Sequence, residues 1–167
     1  MRFAAKIVKI LLAVIALLTF GSSAGAFGTA DVEKVVGVLE QLGADLGKLA
    51  YDDEAAAAWF EEDGYGAERI PAAGFTAQSW GEHADRTMKG FFATFTQADM
   101  DGLFARFAAV ENRTDIPEDR KAAIREILAD GKAALARWQA EGAADAETVR
   151  PYATRIRALL ADRELLE

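Results

Sequence analysis

The sequence predicts an all-α fold: an antiparallel helical bundle of four long helices plus one or two short ones, after a cleaved signal peptide. Three observations carry that prediction. Alanine is abundant while β-branched residues are sparse. No run alternates apolar and polar residues for the length of a strand. Apolar residues recur instead at steps of three and four, the period of a helix face.

Residues 1–26 read as a secretory signal peptide. Arg2, Lys6 and Lys9 make a basic start, and residues 7–20 are apolar apart from Lys9 and Thr19. Ser22-Ser23-Ala24-Gly25-Ala26 then supplies an A-x-A cleavage pattern with the cut expected after Ala26. The unbroken apolar run 10–18 is shorter than the roughly 20 residues a spanning helix needs. The expected product is exported, to a bacterial periplasm or the medium, with no stable membrane anchor after processing. Its residues 27–167 are expected to form a single helical-bundle domain.

Thr29 is the expected N-cap of the first mature helix, with Asp31 and Glu33 at the positive end of its dipole. Val32, Val35, Leu39, Leu42, Leu46 and Leu49 form an a/d seam. Val36, Gly43 and Ala50 flank that seam at seven-residue intervals, where small side chains would admit a neighbouring backbone. Asp52 or Asp53 caps a short helix over residues 54–63 carrying Trp59 and Phe60, with Gly64 as its C′ residue. Residues 64–75, with three glycines and Pro71, are expected to be an irregular crossover.

Thr76 caps the next helix, on which Trp80, Ala84, Thr87, Met88, Phe91 and Phe95 share a sector about 100° wide. Thr96 and Asp99 signal another, striped by Met100, Leu103, Phe104, Phe107 and Val110. Asp115, Pro117 and Glu118 start a helix expected to bury Ile124, Ile127, Leu128, Leu135 and Trp138 and to stop near Gly142. Pro151 forbids one continuous helix from Asp145. A short turn over Ala146–Val149 and a final helix from near Arg150 are expected, with Tyr152, Ile156, Leu159, Leu160 and Leu166 as its seam.

Charge and composition narrow the function. The formal charge of the whole chain is −8, and residues 1–26 hold three bases and no acid, so cleavage leaves −11. Such a chain repels phosphate backbones and argues against nucleic-acid binding. The absence of cysteine removes disulfides, lipid attachment at the cut, thiolate metal sites and thiol nucleophiles.

No constellation of catalytic type stands out. His83 and Ser79, the lone histidine and serine after residue 26, fall on the polar flank of their helix without the turn context of a nucleophile elbow. A di-iron site needs two Glu-x-x-His pairs, and Trp80 stands where the glutamate of His83 would be. The acids around residues 97–102 resemble a calcium loop, but Ala108 occupies the position of the bidentate glutamate. His83, Met88 and Met100 are the available haem ligands, and methionines on apolar stripes are ordinarily core filler. No metal, no cofactor and no enzymatic activity are expected.

Two acidic clusters, Asp52-Asp53-Glu54 and Glu61-Glu62-Asp63, flank the short helix and are expected to be solvated. The second opposes the helix dipole. The aromatics are expected to be mostly core, and any that are not define two functional readings. The leading one is a protein-interaction module that recruits or shields another exported protein, contacting it through Trp59, Tyr65 and Phe92 while the acids steer a basic partner. The alternative is a carrier that encloses a small hydrophobic ligand in an apolar pocket of Phe91, Phe95, Phe104 and Phe107.

Overall fold

A computed structural model of the chain describes residues 27–111 and 113–160, without the side chains of 106–109 and 111. The proposed signal peptide and Leu166 lie outside the described residues. Within them the chain is all-helical, with no strand. The elements are α1 (Thr29–Leu46), α2 (Ala55–Gly64), α3 (Arg69–Ala72), α4 (Ala77–Ala93), α5 (Gln97–Glu111), α6 (Glu118–Gly142) and α7 (Ala146–Val149). A 3-10 turn (Arg150–Tyr152) and α8 (Ala153–Leu159) follow. No helix among the described residues is long and apolar enough to cross a membrane.

Packing centres on α4, which touches α1, α2, α6 and α7. The sector read from its sequence is the reason. Trp80, Ala84, Thr87, Met88 and Phe91 are all fully buried, and Phe95, just beyond the helix end, packs on the same core. The α1 seam supplies Val32, Val35, Leu39 and Leu42 to the core, joined by Val36. It then departs from the heptad reading. Gly47 takes φ 82°, a conformation suited to glycine, and ends the helix, leaving Leu46 exposed. Leu49 is buried beyond the helix, where its N–H donates to the Leu159 carbonyl at 2.9 Å.

Helix starts follow the side chains that can satisfy their free amides. Thr76 caps α4: its Oγ1 accepts from Ser79 N at 3.1 Å while Ser79 Oγ accepts from Thr76 N at 2.9 Å. Thr96 and Asp99 make the equivalent reciprocal pair before α5. At α1 the cap is Gly28 rather than Thr29, because Asp31 Oδ2 reaches back to the Gly28 amide. Thr76→Ala is expected to cost about 1 kcal/mol of stability, read as a lower urea midpoint by circular dichroism. An unchanged midpoint would remove the cap from the account.

Further expectations are corrected. Gly43 does not admit a backbone, since a Cβ there would meet only the Leu159 side chain at 3.4 Å. The close approach is at Gly142, where a Cβ would overlap the Lys89 carbonyl as α6 crosses α4. The stripe on α6 is largely uncovered. Leu135 is buried, Ile124, Leu128 and Trp138 are half-buried and Ile127 is exposed, because α6 outruns the core and its earlier turns have little beyond α5 for a neighbour. Residues 64–75 are not wholly irregular: α3 forms within them around the fully buried Ile70, and Gly64 is the last residue of α2 rather than its C′ residue.

Candidate functional site

The proposed contact residues do not come together on the surface. Trp59 is 7% exposed and Phe92 9% exposed, whereas Tyr65 is 81% exposed. Tyr51 explains the burial of the first two. Its ring lies 6.3 Å from Trp59, 5.6 Å from Phe92 and 5.0 Å from Trp138, filling the space between α2, α4 and α6. The proposed apolar pocket is not an enclosure of its four residues either. Phe91 is fully buried and packs against Phe92 and Phe95 at 5.3 and 5.0 Å. Phe104 instead lines a separate open groove of about 400 Å³ with Met100, Ala105, Gln97, Asp101 and Lys132. The Phe107 side chain lies outside the described ones.

The residues weighed for chemistry are occupied structurally. His83 Nδ1 lies 2.7 Å from the Ser79 carbonyl oxygen, so that nitrogen carries the proton and donates, and the ring sits between Phe27 and Phe75. The Ser79 hydroxyl is spent on the Thr76 cap. Met88 is core. Among the described residues no group of three or more histidines, cysteines or acids is arranged to hold a metal.

A polar network under Tyr51 escaped the sequence reading. Tyr51 Oη donates to Asp85 Oδ1 at 3.2 Å, and Lys89 reaches Asp85 at 3.8 Å and Glu141 at 2.8 Å. Asp53 accepts from Trp138 Nε1 at 2.7 Å and pairs with Arg137. Burial raises the Asp85 carboxyl and, together with Asp85, the Tyr51 phenol. Every member has a partner inside the network, so its work is to bind the segment between α1 and α2 to α4 and α6. No periodicity could have disclosed it, because Asp53 and Arg137 are 84 positions apart.

What remains around Tyr65 is a groove of about 200 Å³ lined by the C-terminal ends of α1 and α2 and the segment that follows. Leu42, Leu46, Tyr65 and Ala67 supply its apolar wall, and Asp45, Glu62, Asp63 and Arg69 its charges. Both helix ends carry negative dipole poles, and neither has a basic residue in its last turn. Arg69 pairs with Asp45. Tyr65 Oη donates to Glu61 Oε1 at 3.3 Å, which orients its ring. Asp63 is the surprise. Expected to be solvated, it is 4% exposed; its Oδ2 accepts from Ile70 N at 2.7 Å, while its Oδ1 is buried with no hydrogen-bond partner. The legible signal was the position of its cluster at the wrong end of a helix dipole.

The arrangement offers negative potential beside exposed apolar surface. No known protein family, curated protein or solved structure matches the chain.

Proposed function

We propose that the chain is an exported, non-enzymatic interaction module, cleaved after Ala26, whose residues 27–167 form one helical bundle that recruits or shields another exported protein. The observation that carries this reading is the groove at Tyr65. Tyr65 and the 43% exposed Leu46 stand uncovered beside Asp45, Glu62 and Asp63, while the other large aromatics among the described side chains lie buried or half-buried. Exposed tyrosine is a favoured interface anchor, and surrounding acids speed encounter with a basic surface. The carrier reading is weaker, because Phe91 and Phe95 are used in the core and the groove at Phe104 is open.

A photo-crosslinking residue placed at position 65 in the native host is expected to trap one discrete polypeptide. Leu46→Asp should abolish the adduct, and a probe at the exposed Ala122 should not form it. N-terminal sequencing of the same material is expected to begin at Phe27. Recovery of a bare monomer from position 65, or the same adducts from position 122, would overturn the reading.

A further inference from the structure

We propose that the uncovered face of α6 is a self-association surface, on which a second copy of this chain packs its own α6 antiparallel. The proposal is independent of the groove at Tyr65 and of any other partner. At about 100° per residue, Arg120, Ala123, Ile124, Ile127, Asp130 and Ala134 fall within one sector roughly 120° wide. Ile127, near its middle, is 61% exposed, and Arg120, Ala123 and Asp130 are exposed around it. Helix α5 lies on another side. Lys132 stands over the Phe104 ring at 5.2 Å, and its position is turned roughly 140° from that of Ile127.

Charge selects the occupant. The chain carries a net −8, so two copies repel wherever their acids meet. Residues 118–132 are an exception, with four acids and four bases. Arg125 pairs with Glu118 there at 2.7 Å. No ion pair or hydrogen bond among the described residues engages Arg120 or Asp130. Neither has an opposite charge three or four positions away, and Asp130 has the like-charged Glu126 at that spacing. These two unmatched charges are opposite in sign, share the uncovered face and stand ten positions apart.

A two-fold contact between identical chains needs a patch that complements itself. An antiparallel α6 pair centred at position 125 meets that need. It sets Arg120 against Asp130 of the second copy, twice over. The same register sets Ala123 against Ile127 of the second copy, a small side chain opposite a large one, because both pairs of numbers average to 125. An apolar strip closed at each end by an ion pair is the result. A contact of one helix per copy lies at the small end of interface sizes, below roughly 1,200 Å², so the dimer is expected to be reversible.

The test is sedimentation equilibrium of the full chain purified from its native host, between about 1 and 200 µM. A reversible monomer–dimer equilibrium is expected. Ile127→Asp, a change at a solvent-facing position, should raise the dissociation constant roughly tenfold while the circular dichroism spectrum stays the same. Arg120→Glu and Asp130→Arg should each raise it roughly fivefold. The double variant exchanges the two charges and should recover most of the parent affinity. Ala122→Asp, which lies outside the sector, should leave the affinity unchanged. A monomer throughout that range would overturn the proposal. A dimer indifferent to Ile127→Asp would do the same, because the contact would lie elsewhere. A double variant no tighter than either single one would exclude the antiparallel register.

Discussion

Gly142→Ala is expected to destabilise the fold by about 3 kcal/mol, whereas Gly131→Ala on the same helix is expected to stabilise it by up to about 1 kcal/mol. The two glycines differ in what a Cβ would meet. At Gly142 it would overlap the Lys89 carbonyl carbon and oxygen and press on the Gly90 amide, all backbone atoms that no rotamer change can move aside. At Gly131 it would meet nothing within 4 Å, and the only effects left are helix propensity and the entropy of the unfolded chain. The crossing at Gly142 also sets how closely α6 lies on α4, so a displaced α6 would strain the Lys89–Glu141 pair and the bond from Gln139 Nε2 to the Phe92 carbonyl. Urea unfolding followed by circular dichroism measures both variants. Equal midpoints would mean that the two helices do not cross where Gly142 places them.

That contrast also marks where sequence reading stops. Gly142 is legible in the sequence as a helix end, whereas heptad adjacency singles out Gly43 as the close-packed glycine. Which backbone approaches which is decided by where two helices cross, and no period along one helix contains that information. The same limit applies to α6. Its stripe correctly marks an apolar face, but a face is buried only if a neighbour covers it, and α6 runs past its neighbours. On α4 a complete sector and a reciprocal Thr76–Ser79 cap agree, so local and tertiary preferences coincide and the reading was sound.

The candidate site divides along the same line. Tyr65 and its acids were legible as an exposed polar-aromatic segment. Trp59 and Phe92 were misplaced because an aromatic residue reads alike in a core and in an interface, and the deciding residue, Tyr51, follows the end of α1 in no periodic register. The burial of Asp63 depends on Ile70 folding back over seven residues to donate its amide. Composition makes such an acid look like surface. Its opposition to the helix dipole was the one physical irregularity in the sequence, and it marked the groove.

Trp80→Ala is expected to cost ~4 kcal/mol, a large share of the roughly 5–15 kcal/mol that stabilises a typical domain. Trp80 is fully buried in the first turn of α4, where α2 and Phe75 meet it. Its indole N–H donates to the Ala56 carbonyl at 2.9 Å, and its ring stands edge-on to Phe75 at 5.5 Å. Truncation removes the apolar contact, empties a ring-sized space that the helices can only partly close, and deletes the one side-chain hydrogen bond between α4 and the start of α2. Trp80→Phe separates these contributions. It keeps most of the ring and loses the donor, and is expected to cost about 1–2 kcal/mol. Both are read from urea midpoints by far-ultraviolet circular dichroism, since Trp59 and Trp138 would obscure a fluorescence signal. The loss should also reach the groove. Helix α2 is held to α4 at Ala56 and carries Glu62 and Asp63, which line the groove, at its far end, so a loosened α2 displaces one wall of it. In the alanine variant the adduct trapped by a probe at position 65 should therefore weaken even at temperatures where the chain stays folded. An alanine variant within 1 kcal/mol of the parent would place Trp80 outside a packed core and sever that link between core and groove.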